Sequence, residues 1–333
     1  MTAPAGPVVA IIGPTASGKS ALALVLAARP EIRVGRRGFA GGVVINMDSM
    51  QVYRELPLIT AQPDESDKAR VPHTLYGHMP AWEVGSAARW TSEARIEIAR
   101  AHEAGRLPIL CGGTGLYLRA LMDGLSPMPA VPPEIRAAAR ALWAELGPEE
   151  FGRRLAARDP EAAARLAPND RQRRVRAWEV VEATGRTLAD WHAAAPGGTA
   201  AGGVVVVVAL TSDRDWLRRR HRERFEGMLA AGALDEVAAL ESALAARGRV
   251  EGLTLDGVAL PALKAHGVPE LRAHLAGEMG LAAAMDRAVL NTGRYAKRQM
   301  TWIRHQIIPQ ISIESQETGA MSAITQYLDK MKT

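Results

Sequence analysis

The sequence predicts an α/β fold in which helices flank a parallel β-sheet and a small helical domain is inserted into the chain. An apolar, β-branched run at residues 8–12 leads through a glycine-containing loop into a helix-forming stretch at residues 21–28. Further apolar runs at residues 43–45 and 107–111 also end in polar or glycine-rich loops. Residues 126–202 are predicted to form helices without strands. Strands that alternate with helices are typical of a parallel sheet.

The remaining core elements follow in chain order. Apolar residues recur at helical spacing over residues 87–104, which predicts an amphipathic helix. The residues on its apolar face are Trp90, Ala94, Ile98 and Ala101. An uninterrupted apolar run at residues 204–210 predicts a strand buried on both faces, and a long helix is predicted over residues 215–231. The core is therefore expected to comprise residues 1–125 and 203–333.

The insertion is expected to span residues 126–202. It opens with a proline-rich linker and ends in a glycine-rich stretch at residues 196–203. Between these, helices are predicted over residues 134–147, 149–157 and 170–184.

Composition indicates a soluble globular protein. The chain has 333 residues, of which 47% are hydrophobic, and this is enough to bury a full-sized core. Its longest apolar run is far shorter than the roughly 18 to 20 residues that cross a bilayer. Cys111 is the only cysteine, which excludes an intramolecular disulfide framework and a multi-cysteine zinc site. With no positively charged leader at the N-terminus, we expect a cytoplasmic protein that does not bind membranes.

The formal net charge is +5, and arginine is concentrated in three short segments, residues 171–176, 218–224 and 294–304. Such segments suit phosphate-rich partners. Each also fits a solvent-exposed helix face whose arginines pair with nearby carboxylates. In the middle segment Arg220 and Arg224 are four residues apart, so that both lie on one helix face and could reach the same anion.

The most specific motif, GPTASGKS at residues 13–20, matches G-x-x-x-x-G-K-[ST] between a strand and a helix. Its residues are Gly13, Pro14, Thr15, Ala16, Ser17, Gly18, Lys19 and Ser20. The glycines let backbone amides point into one cavity, Lys19 adds a positive charge, and the Ser20 hydroxyl is suited to bind Mg²⁺. The motif predicts a diphosphate cradle but not whose phosphates it holds. The alternative is a helix-capping turn that matches by chance.

Two further loops follow predicted strands. Residues 46–53 place Asp48 at the carboxyl edge of the sheet, where it could be a magnesium ligand, a general base or a turn cap. Residues 112–117 offer small residues for close backbone approach and the hydroxyl of Thr114. Because the carboxyl ends of parallel strands meet at one edge, the three loops are expected to converge. Residues 294–304 interleave basic and aromatic residues, which suits either a nucleic-acid backbone or an amphipathic helix packed on the core.

Six segments occur together, and in this order, in one known family: residues 13–20, 48–54, 112–121, 168–180, 224–237 and 295–304. With them the chain resembles the bacterial tRNA dimethylallyltransferases, also called tRNA isopentenyltransferases, over about residues 8–308. The resemblance implies a P-loop NTPase-like core. It also implies transfer of a dimethylallyl group from dimethylallyl diphosphate to N6 of the adenine 3′-adjacent to the anticodon, in tRNAs that read codons beginning with U.

The resemblance further implies roles for single residues. The loop at residues 13–20 would bind the diphosphate together with Arg220 and Arg224, and Ser20 would bind Mg²⁺. Asp48 would accept the N6 proton and Thr114 would help to orient the adenine, which would be flipped out of the anticodon loop. The residues expected to contact the tRNA anticodon stem-loop are Asp48, Ser49, Met50, Gln51, Thr114, Arg136, Gln172, Arg173, Arg174, Val175, Arg176, Lys297 and Arg298. A monomer is expected, because binding one tRNA needs no dimer interface.

The chain departs from the usual family pattern at two places. Residues 30–42 form a longer and more basic link than usual and are expected to be a surface loop. Gln62 stands where a lysine more commonly follows a Thr-Ala pair, which bears on substrate contacts and not on the core reaction. No element is predicted in the polar C-terminal 25 residues.

Two other functions fit a phosphate-binding loop. One is a small-molecule kinase that uses ATP, and the other is a non-catalytic RNA-binding protein whose nucleotide loop acts as a switch. Neither accounts for all six segments. The guanine-reading motif of GTPases and the catalytic loop of protein kinases are absent from the sequence.

Overall fold

The structure is a computed structural model that describes residues 6–126, 128–194, 203–247, 254–255, 258–315 and 319–331. Its strands are β1 (Val8–Ile12), β2 (Ile32–Val34), β3 (Arg37–Phe39), β4 (Gly42–Asn46), β5 (His73–Thr74), β6 (Leu107–Gly112), β7 (Val205–Thr211), β8 (Thr254–Leu255), β9 (Val258–Ala259) and β10 (Ile311–Glu314). Its helices are α1 (Lys19–Ala27), α2 (Glu65–Arg70), α3 (Ala87–Glu103), α4 (Gly115–Asp123), α5 (Pro133–Ala156), α6 (Pro160–Arg165), α7 (Arg171–Thr184), α8 (Leu188–Ala193), α9 (Arg214–Ala230), α10 (Ala233–Ala245), α11 (Val268–Leu275), α12 (Leu281–Gln306) and α13 (Ala320–Lys330). Most of the predicted glycine-rich end of the insertion, residues 196–202, lies outside the described residues.

Six strands form one parallel sheet in the order β10-β7-β1-β6-β4-β5. In the central strand β1, Val8 lies opposite Val205 of β7, and Val9 lies opposite Ile109 of β6. All five residues of β1 are buried, because helices cover both faces of the sheet. The predicted α/β class with a parallel sheet is confirmed.

Alternate residues of β1 enter two apolar cores on opposite faces of the sheet. Val9 and Ile11 pack in a core shared with α1 and α13, whereas Val8, Ala10 and Ile12 pack in a core shared with α3. The residues predicted to form the apolar face of α3 are all buried: Trp90, Ala94, Ile98 and Ala101. The loop after β1 is therefore carried by a strand that is fixed from both sides.

The prediction of a surface loop at residues 30–42 is wrong. This segment forms the antiparallel hairpin β2–β3, in which Ile32 pairs with Phe39. Ile32, Val34 and Phe39 are buried in the core beside α1. Each strand is only three residues long, so the alternation of apolar side chains is too short to stand out among the arginines and glycines around it.

The C-terminal segment, for which no element is predicted, completes the sheet. β10 pairs in parallel with β7, with Ile313 opposite Leu210. α13 then packs through Ile324 and Leu328, which are four residues apart and buried in the same core as β2.

A third apolar core lies under the chain that follows β4. Tyr53, Leu56 and Ile59 pack there with Phe225 of α9 and Val237 of α10. Residues 50–60 contain no strand and no α-helix, so this packing holds them in place.

The chain divides into two compact units, one made of Met1–Met122 with Thr199–Thr333 and the other of Asp123–Gly198. The second unit contains α5, α6, α7 and α8. Phe151 of α5 and Trp178 of α7 meet in its core, with ring centroids 5.4 Å apart.

Helix α5 is interrupted at Gly147, whose φ of 67° lies in the left-handed region, and Pro148 follows. This break coincides with the boundary predicted between helices at residues 134–147 and 149–157. Across the described ranges of both units, we find no helix with the length and apolar character needed to cross a membrane.

Candidate active site

The loops after β1, β4 and β6 meet at the carboxyl edge of the sheet. The backbone amide of Ser49 donates to Thr114 Oγ1 at 3.0 Å, and Thr114 Oγ1 lies 3.3 Å from Ser49 Oγ. The Thr114 amide donates to the Met47 carbonyl at 3.3 Å. The loop that carries Asp48 and the loop that carries Thr114 are thus joined directly, as the parallel topology predicts.

The loop of residues 13–20 wraps around the start of α1. Gly18 precedes the helix with a φ of 88°, a conformation that favours glycine. Lys19 Nζ donates to the Pro14 carbonyl at 3.2 Å, so the lysine folds back over its own loop. Ser17 is buried, and among the described residues its hydroxyl has no hydrogen-bond partner. A buried, unsatisfied hydroxyl next to a helix N-terminus suits an anionic ligand.

Two cations lie beside this loop. Burial lowers the pKa of Lys19, and the negative charge of Asp48 acts in the opposite direction. Burial likewise lowers the pKa of Arg224, again opposed by Asp48. Arg224 Nη1 lies 3.4 Å from Thr15 Oγ1. Two cations that are partly shielded from water stabilise an anion more strongly than fully exposed ones do, because the local dielectric is lower.

The predicted pair of arginines on α9 is only partly brought to the loop. Arg224 reaches it, whereas Arg220 is exposed and its guanidinium forms a 3.1 Å ion pair with Glu223. That ion pair is the alternative that the sequence had left open for Arg220. Between the two, His221 is buried and its Nε2 lies 3.2 Å from the Thr15 carbonyl oxygen.

Asp48 is held in a local turn. Its amide donates to Asn46 Oδ1 at 2.8 Å, and its own Oδ1 accepts from the Met50 amide at 2.9 Å. The Asn46 side chain also donates to the carbonyls of Asp48 and Leu75, at 3.0 and 2.9 Å. Trp90 fixes the end of β4 from below, because its indole N–H donates to the Asn46 carbonyl at 2.7 Å. The carboxylate of Asp48 is therefore both a turn cap and a rigidly oriented group.

Two residues missed by the sequence analysis also lie near Asp48. Burial lowers the pKa of His266, and the negative charges of Glu270 and, more weakly, Asp48 act in the opposite direction. Burial raises the pKa of Tyr295, whose hydroxyl interacts with the side chains of Thr114 and Gln299. The rings of His266 and Tyr295 pack with centroids 4.5 Å apart. Neither residue lies in a short motif with a recognisable spacing, although Tyr295 opens the last of the six segments.

A third missed residue, Gln299 of α12, lies between two of the loops. Its Oε1 accepts from the Thr15 amide at 2.9 Å, and its Nε2 donates to the Gly113 carbonyl at 3.0 Å. The glycine-rich loop admits this contact, since a Cβ at Gly113 would lie 2.0 Å from Gln299 Nε2.

The loop after Asp48 is anchored from two sides. Gln51 Nε2 donates to the carbonyls of Thr60 and Ala61 at 2.9 and 2.8 Å. The carboxylate of Glu236 on α10 accepts from the Leu58 and Ile59 amides at 2.8 and 2.9 Å, and burial raises the pKa of Glu236.

Gln62, which replaces the more common lysine, belongs to the same loop. Its side-chain amide donates to the Tyr53 carbonyl at 2.8 Å. Ser49 and Met50 are half-buried at the start of this loop, and Met50 packs against the core beneath it.

In the helical unit, the residues predicted to contact tRNA fall into two classes, one at the surface of the unit and one buried inside it. Gln172 and Arg173 are exposed, Arg176 is half-exposed beside Glu179, and Arg136 Nε donates to the Val131 carbonyl at 3.0 Å. Helix α7 begins at the cap Asp170, whose side chain accepts from the Arg173 amide.

Arg174 and Val175 form the second class, because α7 turns both toward the interior of the unit. Arg174 Nη2 donates to the carbonyls of Leu166 and Ala163 at 2.9 and 3.3 Å, and Nη1 to that of Pro148 at 3.5 Å. Val175 is buried in the apolar core of the unit. Both side chains are thus engaged in the packing of the unit.

On α12, Lys297 and Arg298 are exposed. Lys297 lines a groove of about 660 Å³ between α9 and α12, whose rim also carries Arg218 and Arg222. The guanidinium of Arg298 lies 5.6 Å from the centre of the Tyr295 ring.

The protein supplies only part of a coordination shell for a metal ion at this site. In the described part of the chain, no three His, Cys, Asp or Glu side chains are grouped closely enough to bind a metal. Ser20 is exposed in the first turn of α1. A single hydroxyl fits Mg²⁺, which commonly keeps several waters and binds through one or two protein oxygens together with phosphate oxygens of a substrate. Burial raises the pKa of the nearby Cys111 to about 11, so its thiol is protonated and is a poor ligand.

Comparison with known proteins adds to this geometry. The model of the IPP transferase family matches residues 51–306. The chain belongs to the IPP transferase family. The resemblance read from the six segments is thereby confirmed.

Relatives cover most of the chain. The proteins of Rhodospirillum centenum and Rhodospirillum rubrum, each named tRNA dimethylallyltransferase, are both 50% identical to it, over 301 and 303 residues. These alignments cover 90% and 91% of this chain and 89% and 86% of the relatives.

Solved structures of similar proteins share the fold. The tRNA isopentenylpyrophosphate transferase of Bacillus halodurans is 30% identical, with a TM-score of 0.64 over 97% of this chain and 95% of its own. A eukaryotic dimethylallyltransferase, captured crystallographically acting on tRNA, is 26% identical, with a TM-score of 0.73 over 93% of this chain and 74% of its own. The P-loop-like core of this family member thus has counterparts in solved enzymes.

Proposed function

We propose that this protein transfers a dimethylallyl group from dimethylallyl diphosphate to N6 of the adenine 3′-adjacent to the anticodon, in tRNAs that read codons beginning with U. The observation that carries the proposal is the meeting of three groups at one sheet edge: the Asp48 carboxylate, the half-buried cations Lys19 and Arg224, and the Thr114 hydroxyl. The names of the relatives support this choice of reaction.

The donor end of the reaction is assigned to the loop of residues 13–20. When N6 attacks the allylic carbon, the bond from that carbon to the diphosphate oxygen breaks and negative charge builds on the leaving diphosphate. The loop amides, Lys19 and Arg224 stabilise that charge from fixed positions. Arg220, which is exposed, contributes at most from the solvent side of the site.

The acceptor end is assigned to Asp48 and Thr114. As N6 forms its bond to carbon it becomes acidic, and the Asp48 carboxylate accepts its proton. The Met50 amide holds Oδ1 of that carboxylate, which supports a fixed orientation for the base. Thr114 is held by Ser49 and is suited to orient the adenine.

Mg²⁺ is the cofactor that we assign to Ser20. When bound, it supplies electrostatic stabilisation of the diphosphate oxygens. The helix N-terminus beside Ser20 contributes further positive potential for the same group.

The RNA partner is assigned to the anticodon stem-loop of tRNA. Phosphate contacts come from exposed Arg173 and half-exposed Arg176 in the helical unit, and from exposed Lys297 and Arg298 on α12. Half-buried Ser49 and Met50, with Gln51, are proposed to lie beside the flipped-out adenine. We propose that the helical unit is an RNA-binding insertion and that the enzyme acts as a cytoplasmic monomer.

A transfer assay tests the proposal. Purified protein is incubated with unmodified tRNA, labelled dimethylallyl diphosphate and Mg²⁺, and the nucleosides are then analysed. Label on N6 of the adenine next to the anticodon is expected, and D48N should bind tRNA but transfer no label. Phosphate transfer from ATP without prenylation would indicate the kinase, and full RNA function in D48N would indicate a non-catalytic switch.

A further inference from the structure

Helix α12 contacts two of the three loops through one buried side chain. Gln299 is only 6% exposed, and both ends of its amide are used: Oε1 on the Thr15 amide at 2.9 Å and Nε2 on the Gly113 carbonyl at 3.0 Å. A single planar group therefore spans the diphosphate loop and the loop that leads to Thr114.

The glycine-rich loop is shaped around this helix. A Cβ at Gly113 would lie 2.0 Å from Gln299 Nε2, and one at Gly115 would lie 2.4 Å from the ring of Trp302. Tyr295, one turn before Gln299, interacts with Thr114 and Gln299. Tyr295, Gln299 and Trp302 are spaced four and three residues apart, so they form one face of α12 that is fitted against the loop.

We propose that Gln299 is a positioning residue that couples the donor end of the site to the acceptor end. The inference rests on the proposed function, because it takes the loop of residues 13–20 to hold the diphosphate and Thr114 to face the adenine. A diphosphate that draws the Thr15 amide into the cradle moves the Gln299 amide, and Gln299 transmits the change to the Gly113 carbonyl. Diphosphate binding then alters the affinity for RNA, and by thermodynamic linkage RNA alters the affinity for diphosphate by the same factor.

A merely structural role for Gln299 has a different signature. Loss of packing would lower the stability of the protein and weaken the binding of both ligands. Each ligand would still change the affinity for the other by the same factor as in the wild type. The test is therefore a ratio: the Kd of one ligand measured without the other ligand, divided by its Kd measured with the other ligand bound. Neither Kd alone tests the proposal.

The experiment measures the Kd of an unmodified anticodon stem-loop RNA with and without inorganic diphosphate and Mg²⁺, and the Kd of diphosphate with and without that RNA. In the wild type we expect diphosphate to change the Kd of the RNA by about fivefold or more, and the RNA to change the Kd of diphosphate by the same factor. Gln299→Met removes both hydrogen bonds and should bring the ratio close to one. Gln299→Glu keeps an acceptor for Thr15 but cannot donate to Gly113, and should also reduce the ratio.

Gln306→Met is the matched control, because Gln306 lies on the same helix and is exposed. It should show the wild-type ratio. Should Gln299→Met fail to fold, Gly113→Ala tests the same contact from the opposite side, since its methyl group displaces the amide.

An unchanged ratio in the folded Gln299 or Gly113 variants overturns the proposal, and so does a wild-type ratio of one. Failure of the proposed function looks different: the wild type would then transfer no label to the adenine, whatever the ratio of affinities.

Discussion

The buried imidazole of His221 lies with its Nε2 3.2 Å from the carbonyl oxygen of Thr15, although 206 residues separate the two along the chain. Burial lowers the pKa of His221, which favours the neutral ring. A neutral ring protonated on Nε2 donates to the carbonyl, so α9 is tied to the loop of residues 13–20 at Thr15, the residue that Arg224 also reaches.

This contact yields the first prediction, which compares two amide variants. In His221→Gln the amide nitrogen replaces Nε2 and keeps the donor, whereas in His221→Asn it is too short to reach Thr15. A lost hydrogen bond of about 1 to 1.4 kcal/mol corresponds to a fivefold to tenfold effect. We expect KM for dimethylallyl diphosphate to rise by that factor in the Asn variant and to stay near the wild-type value in the Gln variant. Equal effects in steady-state assays of both variants would contradict a role for this hydrogen bond.

A second prediction separates activity from stability at Lys19. Burial lowers the pKa of this lysine. Keeping its charge away from water therefore costs the folded state some stability. We expect Lys19→Met to lower kcat by about 10² to 10³-fold, because a fixed cation is lost from the departing diphosphate. Its midpoint of thermal unfolding should not fall.

The control for Lys19 is Lys68→Met, which removes an exposed lysine that pairs with Glu65 on α2. This variant should keep both kcat and the unfolding midpoint, since exposed pairs contribute little. A large drop in the unfolding midpoint of Lys19→Met would show that the lysine serves the fold and not the ligand.

The elements that the sequence predicts well are those whose signals are local. β1, β4, β6 and β7 are apolar runs that end in recognisable loops, and the phosphate-binding motif carries its own structural context. The convergence of Asp48 and Thr114 follows from parallel topology alone. By contrast, the three-residue strands β2 and β3 and the four-residue β10 become strands only by tertiary packing, so no periodicity could reveal them.

The residues that escape prediction reach the site from far along the chain. His221 and His266 are single polar side chains, on a helix and in a turn, and nothing in their spacing distinguishes them from solvated residues. Tyr295 and Gln299 lie within the segment 295–304, but the sequence alone does not show that their face of α12 packs against the loops. Arg174 is the opposite case: it lies in an arginine-rich run and looks like its exposed neighbours in the sequence, but its side chain is buried. The signal that it faces inward was its position four residues before Trp178, which is buried with it.

A third prediction compares the neighbouring arginines of α7. Arg173→Met removes an exposed cation, and we expect weaker tRNA binding whose dependence on salt has a smaller slope by about 0.7 to 0.9. Stability should not change. Arg174→Met instead leaves the carbonyls of Ala163 and Leu166 without their donor, at a cost of about 1 to 3 kcal/mol in the free energy of unfolding.

Chemical denaturation and tRNA titration at several salt concentrations separate these two arginines. The same charge is removed in each case, so net charge cannot account for a difference. If Arg174→Met lowered the salt slope as much as Arg173→Met while keeping full stability, its guanidinium would have to be displayed to RNA after all.

The last prediction concerns the pH dependence of stability at His102. This residue is buried in α3, its Nε2 lies 3.0 Å from the Pro7 carbonyl, and its Nδ1 has no partner among the described residues. Burial lowers its pKa in the folded state below the value of about 6.5 expected for an unfolded chain. The unfolded chain therefore binds the proton more readily, and the contribution of His102 to stability is complete above pH 6.5 and is lost as the pH falls through the folded pKa. For this one proton the free energy of unfolding can fall by at most about 1.4 kcal/mol per pH unit.

His102→Gln keeps a donor for the Pro7 carbonyl but does not titrate, so the difference in free energy of unfolding between wild type and variant should narrow or reverse from pH 7.5 to 5.5. A difference that stays constant over this range in urea titrations would show that His102 is not the group that senses pH.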